Sequence, residues 1–335
     1  MAAITRWVPT SAVRGSRPAN RLLVAALVVL IAGCGGAEPA PRTSSAEPIA
    51  APTPRTTSAE PGAWNELAPL PIAAADPAFV ATETLAYAAG GVVDGDLSDA
   101  AWSYDRANDV WTELPPMPTA RQRAAAVIGA DGRLYVIGGS DLNTLQISVM
   151  EVYDPTDGTW TTAESFSSWA PGAIVDDGGI IVAGDAQVRR YDIGTDTWTD
   201  VGSYVEDILG VINIVRHGPS DRLIPYGAGR FRWLDEAVAD GGILVQSPEM
   251  HDFAGLAAGP DGRLYEIGGQ PLGGGDGLAD VNVFDPRTAT WATGMPLPEP
   301  ISFVRAVGLS NSILILGPTT DGDATNLLEL PFSFE

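Results

Sequence analysis

The 335-residue chain has no lysine, one cysteine and two histidines. Each shortage excludes something. Without lysine there is no Schiff-base nucleophile and no P-loop phosphate contact. One cysteine cannot close an intramolecular disulfide or build a cysteine-rich metal site. All 19 positive charges are arginine against 42 Asp and Glu, and the net charge of -23 excludes nucleic acid as a partner held by charge. No apolar run reaches the roughly 20 residues that a membrane-spanning helix needs. What the chain has in excess is 38 Gly and 27 Pro, far above the roughly 12% of average proteins, which implies many short turns.

The first 21 residues hold Arg6, Arg14, Arg17 and Arg21 and no acid; the apolar run Leu22–Ile31 and then Ala32-Gly33-Cys34 follow. A positive flank, a short apolar core and small residues make a secretory signal. The segment "IAGC" resembles a bacterial lipobox. That resemblance implies loss of residues 1–33, lipidation of Cys34, and residence on the outer face of the cytoplasmic membrane in the bacterial cell envelope. Losing four arginines takes the mature charge to -27. Residues 34–62, the lipidated cysteine and a Pro/Ala/Ser/Thr stretch with few large apolar side chains, read as a disordered tether.

From residue 63 to 335 the sequence repeats itself. A short apolar strand ending in glycine recurs near Gly90, Gly138, Gly184, Gly227, Gly268 and Gly317, at intervals of 48, 46, 43, 41 and 49 residues. After four of these strands comes an aromatic–Asp pair (Tyr104-Asp105, Tyr153-Asp154, Tyr191-Asp192, Phe284-Asp285). A tryptophan lies six or seven residues further on (Trp111, Trp160, Trp198, Trp291). Asp-Gly and Asp-Pro turns between β-rich runs are hairpin chemistry. Four short strands at a period near 45 make a propeller blade, which buries its faces only by stacking on neighbours.

The glycine doublet, the Tyr-Asp pair, the spaced tryptophan and the following "MP..R" together resemble the kelch repeat. The resemblance implies an all-β, six-bladed kelch-like β-propeller. The segment "WNELAPLP" (Trp64–Pro71) matches the fourth-strand sequence "WTELPPMP" (Trp111–Pro118), so an N-terminal strand is expected to complete the last blade. The fourth unit departs most, with Pro225 in its second strand and Ile243 where tryptophan is expected. In the third, Trp198 follows Gly184 too closely for a full second connection.

In kelch rings, the face carrying the blade-to-blade loops forms the recognition surface. By that resemblance this face holds Asp76, Arg121, Arg123, Trp169, Glu206, Asp207, His251, Asp252 and Glu299, with Arg305 further down an inner strand. Arginine forks suit carboxylates and aromatic faces suit sugars. Arg121, Arg123, Trp169, Asp252 and Arg305 are therefore the binding candidates, unless the arginines pair with nearby acids and Trp169 packs between blades. Glu266 stands at an otherwise apolar strand position and must be paired, with an arginine such as Arg305, be hydrated by the central channel, or be raised in pKa as an acid/base facing that channel. Asp94, Asp96 and Asp99 place oxygens on a tight turn in the manner of a calcium loop.

Transition metals are not expected, because His217 and His251 fall on opposite faces. Copper chemistry of the kelch-type galactose oxidases is not supported, since the lone cysteine lies outside the ring. The expectation is a cofactor-free monomeric ring, lipid-anchored, binding a glycan or protein of the envelope. The alternative is a cofactor-free carbohydrate enzyme similar to kelch-type sialic acid epimerases, with Glu266, Glu206 and His251 as its acid/base candidates.

Overall fold

Alternating apolar patterns broken by Gly and Asp turns leave little besides strand. The computed structural model describes residues 59–166, 168, 170–203, 213–217, 222–227, 229–233 and 243–334, and among them every regular element is a β-strand. The signal segment, Cys34 and most of the tether lie outside the described residues. Five antiparallel four-stranded sheets follow in order. The first is Ala78–Ala81, Leu85–Ala89, Ala101–Asp105 and Val110–Leu114. The second is Ala125–Ile128, Leu134–Ile137, Met150–Asp154 and Thr159–Ala163. The third is Gly172–Asp176, Gly179–Gly184, Gln187–Asp192 and Thr197–Ser203. The fourth is Asn213–His217, Arg222–Gly227, Arg230–Trp233 and Ile243–Gln246. The fifth is Gly255–Ala258, Leu264–Ile267, Val281–Asp285 and Thr290–Thr293.

A last sheet joins the two ends of this region. Arg305–Gly308, Ser312–Pro318 and Thr325–Phe334 are its first three strands. Its outer edge is N-terminal: Asn65–Glu66 pairs with Glu329 and Leu328, and Ala59–Pro61 with Phe334 to Phe332. Among the described residues pairing therefore reaches back to Ala59, inside the stretch expected as tether. The reason is the length of Thr325–Phe334, whose far half offers an open edge. The inner strand of each sheet lies beside that of the next, and Arg305–Gly308 lies beside Ala78–Ala81. The arrangement is a β-propeller.

The buried apolar clusters sit between sheets rather than within them. One joins the last sheet to the first through Leu314, Leu316, Phe79 and Ala88; another joins the first to the second through Tyr87, Ala89, Val136 and Tyr153. The glycine doublet explains how closely the chain passes from one sheet to the next. Gly90 and Gly91 have φ of 71° and 95°, a region open mainly to glycine. A Cβ on Gly90 would lie 2.4 Å from the carbonyl oxygen of Arg121. Gly91, Gly139 and Gly269 donate their N–H groups to Arg121, Ser168 and Ile301, on the chain leading to the next sheet.

The repeated aromatics are cross-strand partners. Tyr104–Trp111, Tyr153–Trp160, Tyr191–Trp198 and Phe284–Trp291 face one another in register, with ring centroids 5.0–5.2 Å apart. In the fourth sheet the register pairs Trp233 with Ile243, so the tryptophan has moved to the third strand. Pro225 pairs with Ile214 on one side, while on the other the ladder is confined to Tyr226 and Gly227, as a residue without an N–H requires. The third sheet's shortened connection is the two-residue turn Asp185-Ala186 between Gly184 and Gln187.

Candidate functional site

The residue two places before an inner strand has the same unusual backbone in four sheets. Asp76, Arg123, Phe253 and Phe303 have φ of 55°, 61°, 55° and 51°. A left-handed conformation costs a non-glycine residue on the order of 1 kcal/mol or more, and such positions cluster at ligand clamps. Here the backbone is braced. Arg123 N–H donates to Asp76 O at 3.1 Å, and Val304 N–H to Phe253 O at 2.9 Å.

These four residues and Arg305 form one cluster. Asp76 is 3% exposed and bridges two guanidinium groups. Arg123 Nε donates to its Oδ2 at 3.1 Å and Arg305 Nη2 to its Oδ1 at 2.5 Å. Arg305 Nε also donates to Pro77 O at 3.1 Å. The Arg123 guanidinium lies 5.2 Å from the Phe253 ring centroid, within cation–π range. Phe253 and Phe303 sit 4.6 Å apart, both half-buried. Arg305 in turn lines a channel of about 360 Å³ walled by inner-strand residues such as Ala125, Ala126, Ile174 and Val307. Arg123 and Arg305 are thus paired with a nearby acid, and the half-open Phe253–Phe303 pair is the part of the cluster that can take a planar or apolar face.

The other expected residues fall elsewhere. Arg121 is 0% exposed and faces Glu151, equally buried, with Nη2 3.1 Å from Oε2. Its Nη1 donates to Gly138 O and Val149 O at 2.9 and 2.7 Å. Burial lowers its pKa, opposed by Glu151. Arg121 is thus a brace between sheets, withdrawn from any ligand. Asp252 spends its Oδ2 on the Gly273 N–H at 3.0 Å.

Glu266 does not pair with Arg305, and it is not among the residues that line the channel. It is fully buried; Tyr226 Oη donates to its Oε1 at 2.7 Å and Asn282 Nδ2 to its Oε2 at 3.0 Å. Burial pushes its carboxyl pKa up, and these hydrogen bonds and the nearby His251 pull it down. Asp94 and Asp96 belong to a hairpin, and Asp99 follows it. Val93 pairs with Asp96 across the Asp94-Gly95 turn, and φ of 53° and 88° is a type I′ turn. The acid–glycine spacing there is turn chemistry. Trp169, Glu206 and Asp207 lie outside the described residues, as does Cys34.

Phe253 and Phe303 were not singled out from the sequence, although a signal for them existed. They share with Asp76 and Arg123 the place two residues before the inner strand.

The kelch motif model matches residues 73–118 and 123–167. The human Kelch repeat and BTB domain-containing protein 13 is 33% identical over 179 residues, covering 48% of this chain and 39% of that protein. The Kelch-like protein terF of Aspergillus terreus is 25% identical over 247 residues, covering 70% of this chain and 47% of that one. The chain spans less than half the length of these curated relatives. Among solved structures, YjhT superposes with a TM-score of 0.61 at 17% identity, covering 80% of this chain and 99% of that one. A fungal alcohol oxidase in complex with copper gives 0.54 at 18% identity, covering 76% and 62%. At such identities the likeness is one of fold. The chain carries kelch motifs, and it carries them on a β-propeller.

Proposed function

We propose that this protein is a binding module, built as six blades, whose recognition surface is centred on Asp76, Arg123, Phe253, Phe303 and Arg305. Its ligand is a glycan or a protein segment that lays an apolar or planar face on the Phe253–Phe303 pair. The observation that carries this reading is the set of left-handed, non-glycine positions whose side chains make one mixed aromatic and ionic cluster beside the channel. The five four-stranded sheets and the end-joining sheet are counted as the blades. The signal-like N-terminus and the "IAGC" segment support export and anchoring through Cys34, which would display this face in the cell envelope. No helix among the described residues is long and apolar enough to cross a membrane.

The binding reading is preferred to the epimerase-like alternative because of Glu266. That carboxylate is fully buried and sealed between Tyr226 and Asn282. The test is an array of acidic glycans and peptides probed with the full chain and with a Phe253→Ala/Phe303→Ala variant. The wild-type chain should retain a glycan or peptide that the variant loses at an unchanged Tm. Equal retention by both would remove the site.

A further inference from the structure

His251 is the least explained polar side chain among the described residues. It is 2% exposed, and neither Nδ1 nor Nε2 has a hydrogen-bond partner. A buried imidazole has at least one N–H to place and one lone pair to satisfy, and leaving both is costly. The exposed carboxylates of Glu249 and Asp280 stand beside it. One donor atom from each of the three residues lies within 4.8 Å of the other two.

We propose that Glu249, His251 and Asp280 form a binding site for one divalent transition-metal ion of the zinc class. One imidazole and two carboxylates are an N/O donor set that suits Zn²⁺, Mn²⁺ or Fe²⁺, whereas Ca²⁺ and Mg²⁺ prefer oxygen alone. Two carboxylates and a neutral imidazole balance the charge of a dication. Metal–ligand distances of about 2.0–2.2 Å put opposed donors at most about 4.4 Å apart, so a small rotation of the two exposed carboxylates closes the site.

The backbone that holds these residues is fixed from three sides. His251–Asp252 pairs with Gln270–Pro271. Ser247 Oγ donates to Glu249 O at 2.6 Å, and Gly268 N–H donates to Asp280 O at 2.9 Å. Such rigid mounting is what a metal site requires. Three protein ligands leave at least one position open, so the ion can also hold a water or an anionic ligand. The site needs one histidine and is therefore compatible with a chain that has only two.

The experiment uses the full chain stripped with EDTA and titrated with Zn²⁺ by calorimetry, and with Co²⁺ by visible absorption. The expected result is one ion per chain, with Co²⁺ bands of a four- or five-coordinate nitrogen and oxygen site. Glu249→Gln and Asp280→Asn change exposed groups and should leave the metal-free Tm unchanged. Each should weaken Zn²⁺ binding at least tenfold and abolish the rise in Tm that Zn²⁺ gives the wild-type chain. His251→Gln should shift or remove the Co²⁺ bands. Absence of stoichiometric binding at 0.1 mM metal, or full affinity in both carboxylate variants, overturns the proposal.

Discussion

Arg121 and Glu151 show what a single pair of buried charges does in this chain. Both are 0% exposed, and their separation of 3.1 Å is the only compensation Glu151 receives from an opposite charge among the described residues. Glu151→Gln keeps the shape and leaves the guanidinium unpaired. Breaking a buried pair in this way costs about 3–5 kcal/mol, which lowers Tm by roughly 10 °C in a domain of this size. Replacing both residues by apolar ones should recover only part of that loss, because the carbonyls of Gly138 and Val149 would lose their donor. Thermal melts of the single and double variants decide it; full recovery would mean the carbonyl bonds contribute nothing. A surface acid behaves differently. Arg287 donates to both oxygens of Asp285 at 3.0 and 2.7 Å, and this holds the Asp285 pKa at about 2 against the usual 3.8. The folded value lies below the unfolded one, so the contribution is full above about pH 4 and is lost as pH falls towards 2. Asp285→Asn should therefore be less stable than wild type in urea at pH 6, and the gap should shrink at pH 2.5.

At the scale of the element, the repeated aromatic pair turns out to be a device that links neighbouring blades. Trp111 Nε1 donates to Ala68 O at 2.8 Å, while Asp109 accepts the Ala68 N–H at 2.7 Å and the Tyr104 hydroxyl at 2.5 Å. Trp198 and Asp196 grip Glu164 in the same way, at 3.0 and 2.8 Å, with the Tyr191 hydroxyl at 2.7 Å. The exceptions follow the same chemistry. Trp160 donates to Pro115 O at 2.8 Å. Proline has no N–H to be accepted, and Gly158 stands where Asp109 and Asp196 stand elsewhere. In the fifth sheet Phe284 brings no hydroxyl, and the corresponding residue is Ala289. Asp109→Ala should cost about 1–3 kcal/mol, since it orphans a hydroxyl and a backbone N–H. Gly158→Asp should gain nothing. Urea denaturation of the two variants checks both, and a stabilised Gly158→Asp would break the account. The sheets and aromatic pairs were legible because their signals recur within one repeat and in register. The cluster around Asp76 was legible only in part. Arg123 and Arg305 were named, but Asp76 meets Arg305 across 229 residues and Glu266 meets Tyr226 across 40. No local pattern records such partners. Counting histidine pairs likewise passes over a site of one histidine and two carboxylates such as the one proposed at Glu249, His251 and Asp280, and Asp94-Gly95 makes a tight turn with the same residue types that a cation loop uses.

On the scale of the whole molecule, stability depends on how the ends meet. The fourth-strand tryptophan of one sheet donates to the residue four places after the tryptophan of the preceding sheet: Trp111 to Ala68, Trp160 to Pro115, Trp198 to Glu164. Trp64 obeys the same rule, donating to Met295 O at 3.1 Å, four places after Trp291. The N-terminal segment therefore occupies a fourth-strand place, more than 230 residues away in the chain. Gly62, Leu67 and Leu70 donate their N–H groups to Pro331, Leu327 and Thr325 at 2.7, 3.0 and 2.9 Å. Leu70 is 5% exposed and packs in the cluster shared by the last and first sheets. Deleting residues 59–71 should thus open two interfaces at once, lowering Tm by roughly 10 °C or more, the equivalent of a few kcal/mol. Loss of chain length alone does not predict this, and a permuted chain separates the two causes. Ala59 lies in register with Phe334, so a tight turn can join them. New termini then fall in the exposed Asp131-Gly132 turn. The permuted chain keeps every bond of the end-joining sheet and should melt close to wild type. If the deletion melts with wild type, or the permuted chain falls with the deletion, closure by this segment does not govern the stability of the ring.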